Sequence, residues 1–411
     1  MRRFTEAEVL ALDAADPLAP LRDRFVLPQG VIYLDGNSLG PLTKAARERV
    51  TQTVEAEWGE GLIRSWNTAN WIDLPATVAA KIAPLIGAAP GTVAVADSTS
   101  INLFKVLAVA LEKRPHRRVI LTEAGNFPTD LYIADGLARL LDRGHELRAV
   151  PANELAAAMD ETVAVVLLTE VNYRSGARLD MAALTAPAHA AGALAIWDLA
   201  HSAGAFPVDL AGADADFAVG CGYKYLNGGP GAPAFAYVAP RHLDGLRQPL
   251  SGWMGHATPF AFAADYRPAG SIEAMRVGTP PILSLAALDA ALGAFADVDL
   301  AVVKTKADRL FDIFTAEIAA LCPKLELLTP AEPARRGTQA SFRAENAYAV
   351  MQALIGRGVI GDFREPDILR FGLTPLYLRH ADVLRAARIL GEVLQSRAWD
   401  DPRFHARAKV V

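Results

Sequence analysis

The sequence predicts an α/β protein: a mostly parallel, doubly wound sheet in a large domain, followed by a smaller α+β domain. Three observations lead there. From Thr92 onward short apolar runs alternate with longer amphipathic ones, at the spacing of strand–helix–strand units. The 411 residues give enough chain for two domains with cores of their own. Hydrophobic residues at 52% and charged residues at 21% match a globular protein and exclude a disordered one.

Taken in order, residues 1–45 read as an arm. A short acidic helix precedes VIYLDGNSLGPL, where a β-rich stretch runs into a Gly36/Asn37/Gly40 turn. Residues 46–300 form the large domain. Its pattern is helical from Lys44 to Ile86; then come strands at Thr92–Ala96, Arg118–Leu121, Val163–Leu168 and Leu194–Trp197. The first three lead into helices that begin at Ile101, Asp130 and Met181. A long apolar helix around Ser284–Ala296 leads into the helical Lys304–Leu321. Residues 301–411, with an apolar Leu325–Leu328 and a final helix over Ala381–Leu394, form the small domain. No internal repeat interrupts this plan.

Charge and composition narrow the function classes. The net charge is −5, from 46 acidic and 41 basic residues without a long like-charge run, so nucleic acid and anionic membrane are poor partners. Glu6, Glu8, Asp13 and Asp16 break up the N-terminus where a signal peptide needs an apolar core. No apolar run approaches the roughly 20 residues of a membrane span. A cytoplasmic protein is expected. The 2 cysteines, Cys221 and Cys322, lack metal-ligand spacing, so neither a zinc site nor a disulfide framework is expected.

The chemistry concentrates in AIWDLAHSAGAFPVDLAGADADFAVGCGYKYLNGGPGAPAFAYV. Asp198 directly follows an apolar strand, where the carboxyl edge of a parallel sheet opens onto a ligand crevice. A second strand, Asp216 to Val219, runs into Gly220-Cys221-Gly222-Tyr223-Lys224. A lysine in a confined pocket can attack a carbonyl as a neutral amine. Pyridoxal phosphate further needs an acid beside its pyridine nitrogen, because a protonated ring is the better electron sink. Lys224 and Asp198 supply both parts. A lysine among glycines is ordinarily a surface residue, but the Asp198-x-x-His201 pair and the glycine-rich sequel favour the functional reading.

Phosphate calls for hydroxyls and the positive end of a helix. Ser98, Thr99 and Ser100 stand just before an apolar helix; capping accounts for one of them and leaves the others for phosphate. Phe127 follows the Val119–Leu121 strand, where its ring can stack on a pyridine, although most phenylalanines are simply core. Neither a G-x-x-x-x-G-K loop nor a helix-opening G-x-G-x-x-G occurs, which disfavours nucleotide cofactors.

With these residues assembled, the chain resembles the kynureninases, members of the fold-type-I family of pyridoxal-phosphate enzymes. The resemblance runs in order through YLDGNSLGPL, DSTSINLFK, NFPTDLY, LLTEVNYRSGARLDM, WDLAHSAGAFPVDL, GCGYKYLNGGPGAPAF, SGWMGH, MRVGTPPILSL and RFGLTPLY, from residue 33 to 377. It implies hydrolysis of L-kynurenine or 3-hydroxykynurenine to anthranilate or 3-hydroxyanthranilate and L-alanine, in tryptophan breakdown. Lys224 would bind the cofactor covalently, Asp198 would pair with the pyridine nitrogen, and Phe127 would stack on the ring. Thr99, Ser100, Tyr223 and Trp253 would surround the phosphate, with Asp130, Thr169 and His201 completing the shell and Tyr223 a proton donor. Arg370 would grip the substrate α-carboxylate near Ser38. Trp253 and Thr279 would come from the second subunit of a homodimer. Two departures bear on substrate preference: animal kynureninases carry asparagine at Thr279 and a pocket histidine that aligns with Gly59. Rival readings are another lyase of this fold, such as a cysteine desulfurase, and a catalytically silent cofactor-binding regulator. The first needs a mobile cysteine, the second a DNA-binding segment and a basic surface.

Overall fold

Buried β-branched and aliphatic runs build the core of the unit formed by residues 46–172 and 179–293. The computed structural model, which describes residues 2–408, arranges them as a seven-stranded sheet. In chain order these are β1 (Val93–Val95), β2 (Val119–Glu123), β3 (Glu146–Val150), β4 (Val163–Thr169), β5 (Leu194–Asp198), β6 (Phe217–Gly220) and β7 (Phe235–Val238). Their order across the sheet is β1-β7-β6-β5-β4-β2-β3. The β3-β2-β4-β5-β6 run is parallel throughout, while β7 pairs antiparallel with both β6 and β1. Every residue of β4 to β7 is buried, which is why these strands read as continuous apolar runs and not as alternating ones.

Helices start where local chemistry allows. Thr99–Glu112 is capped by the Ser98 hydroxyl, which accepts from the Ile101 N–H at 3.4 Å. Pro128–Leu141 opens on proline, whose missing N–H costs nothing in a first turn. Met181–Ala190 is capped by Asp180, which accepts from Ala183 N. The helical expectation over 44–86 is met only in pieces: helices Lys44–Gln52, Ser65–Thr68 and Leu74–Ile82 are separated by a π-helical Thr53–Gly61 and a 3-10 turn Leu62–Arg64. Gly59, Gly61 and the left-handed Leu62 explain the break.

The second unit combines the described residues up to Ala45, the segment Tyr173–Arg178 and the chain from Ala294 onward. Four of its strands, β8 (Glu326–Leu327), β9 (Gln339–Arg343), β10 (Asp362–Arg364) and β11 (Ile368–Gly372), lie antiparallel in the order β10-β11-β9-β8. Helices Leu300–Leu321, Ala347–Ile355 and His380–Gln395 accompany them. The N-terminal arm contributes Ile32–Tyr33, paired parallel with Val359–Ile360. Seating of the arm is tight: a Cβ at Gly36 would lie 2.3 Å from the Tyr377 hydroxyl. Among the described residues no helix is long and apolar enough to cross a membrane.

Candidate active site

The carboxyl ends of β4, β5 and β6 carry the candidate catalytic side chains. Thr169 ends β4, Asp198 ends β5, and the two are register partners. The ladder continues one residue further, with Glu170 N donating to Asp198 O at 3.1 Å and Leu199 N to Val219 O at 2.8 Å. Asp198 is therefore fixed from both sides. One of its carboxylate oxygens, Oδ1, accepts from Ala200 N at 2.6 Å. Burial pushes its acidity constant up, against the pull of the Lys224 cation.

Lys224 arrives through the glycine-flanked turn after β6. A Cβ on Gly222 would sit 2.4 Å from the Pro233 carbonyl, so only glycine lets the chain pass there. Gly228 N closes the loop by donating to Gly222 O at 2.8 Å. The Lys224 Nζ lies 3.0 Å from Nε2 of the buried His201, which orients the amine. With Nζ donating, the neutral imidazole carries its own proton on Nδ1. Tyr223 lies beside them, its ring centroid 5.9 Å from Lys224 Nζ. Burial, with Cys221 next in effect, raises the Tyr223 phenol well above its usual range, so it remains a proton donor at neutral pH.

A buried polar chain runs behind this group. Thr169 Oγ1 donates to Asn126 Oδ1 at 2.5 Å and lies 3.2 Å from Asp130 Oδ2. Asn126 Oδ1 also accepts from Phe127 N at 2.6 Å, and its amide donates to Thr122 Oγ1 at 3.1 Å. Burial holds the Asp130 carboxyl well above its ordinary value, and the charge of Asp198 adds to that, opposed by Thr169, Lys224 and Asn126. Two buried carboxylates thus face one lysine. Asn126 was not singled out by sequence reasoning, although it directly precedes Phe127 in the same NFPTD stretch.

Ser98 takes the capping role, leaving Thr99 and Ser100 in the first turn at the positive end of their helix. That end is anchored by Lys105, whose Nζ donates to Asp97 Oδ2 and to Met275 O, each at 2.7 Å. Phe127 stands at the start of the next helix and is 41% exposed. Trp253 and Thr279 occupy exposed positions, and among the described residues neither joins the hydrogen bonds of the Lys224 group. Trp253 instead stacks on Phe262 at 6.0 Å and meets Phe260 edge-on at 5.6 Å.

In the other unit, Arg370 and Ser38 come together. The Arg370 Nη2 donates to Ser38 Oγ at 2.6 Å and pairs with Asp362, while Nη1 donates to Tyr173 O at 2.8 Å. Burial, with the charge of Asp362 next, raises the nearby Asp35 carboxyl to about 7. Cys221 is buried; its Sγ contacts Ala200 O at 3.7 Å, and burial raises its thiol above the usual value. A thiol so held cannot serve as a mobile nucleophile.

Residues 303–390 match the kynureninase C-terminal domain family. A kynureninase of Burkholderia pseudomallei is 54% identical over 99% of this chain and 100% of its own length. One from Pseudomonas fluorescens is 53% identical with the same coverage. Among solved structures, a cysteine desulfurase from Thermococcus onnurineus superposes with a TM-score of 0.77 at 18% identity, over 92% of this chain and 98% of that one. A C-DES variant with glycine covalently linked to its PLP-cofactor gives 0.75 at 19% identity, over 90% and 99%. At such identities these two speak for the fold alone.

Proposed function

The chain belongs to the kynureninase family of pyridoxal-phosphate hydrolases, and from that premise we propose that Lys224, Asp198 and Arg370 carry its cleavage of L-kynurenine, with water, into anthranilate and L-alanine. The observation that carries the assignment is Lys224 Nζ, oriented by His201, at the same sheet edge as the buried Asp198. The residues present fit the cofactor. Asp198 is a buried carboxyl facing Lys224, and its ionised form would suit a protonated ring nitrogen. Gly222 admits no Cβ, Phe127 brings an exposed aromatic side chain, and Thr99 and Ser100 present hydroxyls at a helix N-terminus.

When bound, pyridoxal phosphate supplies an electron sink for the bonds at the substrate α- and β-carbons. The protein's share is binding and proton handling. Lys224 would hold the cofactor covalently, and its Nζ, when free, is placed to act as the base for the α-proton. His201 keeps that amine aimed. Asp198 stabilises positive charge on the ring side, and the Thr169–Asn126–Asp130 chain keeps the buried wall rigid. Tyr223, protonated at neutral pH, donates a proton from its phenol oxygen as the product fragment is released. Arg370 receives the substrate α-carboxylate beside Ser38.

The cysteine desulfurase reading is disfavoured, since Cys221 is buried and Cys322 closes the end of the Leu300–Leu321 helix. A homodimer with Trp253 and Thr279 serving the partner's site is supported by exposed apolar side chains at Val54, Trp58, Leu62 and Ile63, and at Trp253, Phe260 and Phe262. A cytoplasmic location is consistent with two unpaired cysteines. Thr279 and Gly59, each shorter than its animal counterpart, favour kynurenine over its 3-hydroxy form. The test of function is direct. Purified protein with pyridoxal phosphate and L-kynurenine should release blue-fluorescent anthranilate, and no release would overturn the assignment.

A further inference from the structure

The strand register of the second unit places Asp362 directly opposite Arg370, with Arg364 two residues on and hence on the same face. The result is a convergence on one oxygen. Asp362 Oδ2 receives Arg370 Nη2, Arg364 Nη2 at 2.5 Å and the Ser38 hydroxyl at 2.9 Å. Arg370 and Asp362 are almost wholly buried, whereas the Arg364 side chain is 36% exposed. Without the Asp362 charge, the buried Arg370 guanidinium would lie against the part-exposed Arg364 one with Asp35 as their remaining acidic neighbour. Like charges so placed repel.

The hydrogen bonds of Arg370 define what remains open. Nη2 gives one hydrogen to Ser38 and one to Asp362, and Nη1 gives one to the Tyr173 carbonyl. Nε is buried and has no partner among the described residues. A bidentate grip on a carboxylate uses Nε together with the neighbouring Nη2 hydrogen. One of the two Nη2 acceptors must therefore yield. Ser38 is an uncharged acceptor, and exchanging it for an incoming carboxylate replaces one hydrogen bond of the guanidinium by a stronger one; exchanging Asp362 would strand a buried charge.

We propose that Asp362 is the positioning residue of substrate recognition: it stays bound and fixes the Arg370 guanidinium so that the Nε edge is left for the substrate carboxylate, while Ser38 gives way to it. This rests on the assignment of Arg370 to that carboxylate. Asp362 touches neither substrate nor cofactor; it acts through Arg370.

The test compares L-kynurenine with its α-carboxamide on holoenzyme carrying Asp362→Asn, Asp362→Glu or Arg370→Ala. Asp362→Asn keeps the side-chain shape and removes the charge. KM for kynurenine should rise about 10- to 100-fold, the range for a hydrogen bond to a charged group, with a much smaller fall in kcat. The preference for acid over amide should collapse by a similar factor, which a loss of stability alone would not produce. Asp362→Glu keeps the charge and should recover part of that preference; it also carries the test if the asparagine variant does not fold. Should Arg370→Ala abolish the acid preference while both Asp362 variants retain it, the positioning role is overturned and the arginine assignment stands. An unchanged preference in Arg370→Ala would instead overturn the arginine assignment, and this role with it.

Discussion

Replacing Asp198 by asparagine removes one charge from the sheet edge and leaves nearly the same shape. The Ala200 N–H, now 2.6 Å from Asp198 Oδ1, can donate equally to an amide oxygen, so the turn after β5 should survive. A unit ion pair at hydrogen-bonding distance is worth roughly 5 kcal/mol at an effective dielectric of about 20. Only the part that grows toward the transition state enters the barrier. Losing a preorganised electrostatic partner typically costs about 3–4 kcal/mol, or 10²- to 10³-fold in kcat. The structure adds a second expectation. Because burial raises the Asp198 carboxyl, its ionised form opposes folding above the ordinary carboxylate range, and this cost grows with pH until ionisation is complete. Cofactor-stripped Asp198→Asn should therefore be at least as stable as stripped wild type at pH 7. The assays are anthranilate release at saturating cofactor and urea unfolding of the stripped proteins. Turnover within fivefold of wild type would refute the electrostatic role, and an unfolded variant would show that Asp198 is structural.

Four further expectations follow from particular side chains. Lys224→Ala should fold and bind cofactor but lack the visible absorption of the lysine-linked form, with negligible anthranilate release; full activity would sink the assignment. Asp216 accepts from His242 at 2.7 Å, His189 at 2.8 Å, Arg241 and the Ala195 N–H, which together outweigh its burial and hold its carboxyl far below the usual range. Its contribution is thus complete above the unfolded carboxylate value and fades as pH falls below it, so Asp216→Ala should cost roughly 3 kcal/mol at pH 7 in urea unfolding and progressively less in acid. Asp35, raised to about 7 by burial and Asp362, is faced by Tyr33, Ser38, Arg364 and Arg370. Its ionisation adds negative charge beside Arg370, so KM for kynurenine should rise as pH passes upward through about 7, and Asp35→Asn should flatten that rise. Mixing Lys224→Ala chains with Trp253→Ala chains, each inactive alone, should restore activity if sites are shared across a dimer; no recovery after proven subunit exchange would count against sharing.

Residues that depend on local chain chemistry were legible in the sequence. Asp198 at a strand end, Lys224 after a glycine-flanked turn and hydroxyls before an apolar helix are each announced by their immediate neighbours, and β5, β6 and the Thr99–Glu112 helix lie within a residue or two of expectation. Features set by long-range pairing were not. Asp362 reads in sequence as one more charge beside a strand, and only the β10–β11 register turns it into the partner of Arg370. The Tyr173–Arg178 segment joins the C-terminal unit through carbonyls of Tyr173 and Ser175 that accept from Arg370, Gln339 and Thr329, bonds that carry no composition signal. Asn126 was hidden for a different reason: its importance comes from bonding Thr169, on another strand, across 43 residues.

The likeness to cysteine desulfurase and C-DES structures raises the question of what makes one scaffold cleave a carbon–carbon bond and another a carbon–sulfur bond. The sheet cannot decide it, since the superposition covers about nine-tenths of this chain at under a fifth sequence identity. Transfer of sulfur onto a protein cysteine wants a thiolate that can travel. Here the cysteine nearest the reactive lysine is immobilised: Cys221 is buried between two glycines that admit no Cβ, and its thiol is held in the protonated form. What stands beside Lys224 instead is Tyr223, a phenol kept protonated by the same burial. A fixed proton donor suits a reaction whose last requirement is a proton for carbon after the acyl fragment has gone to water.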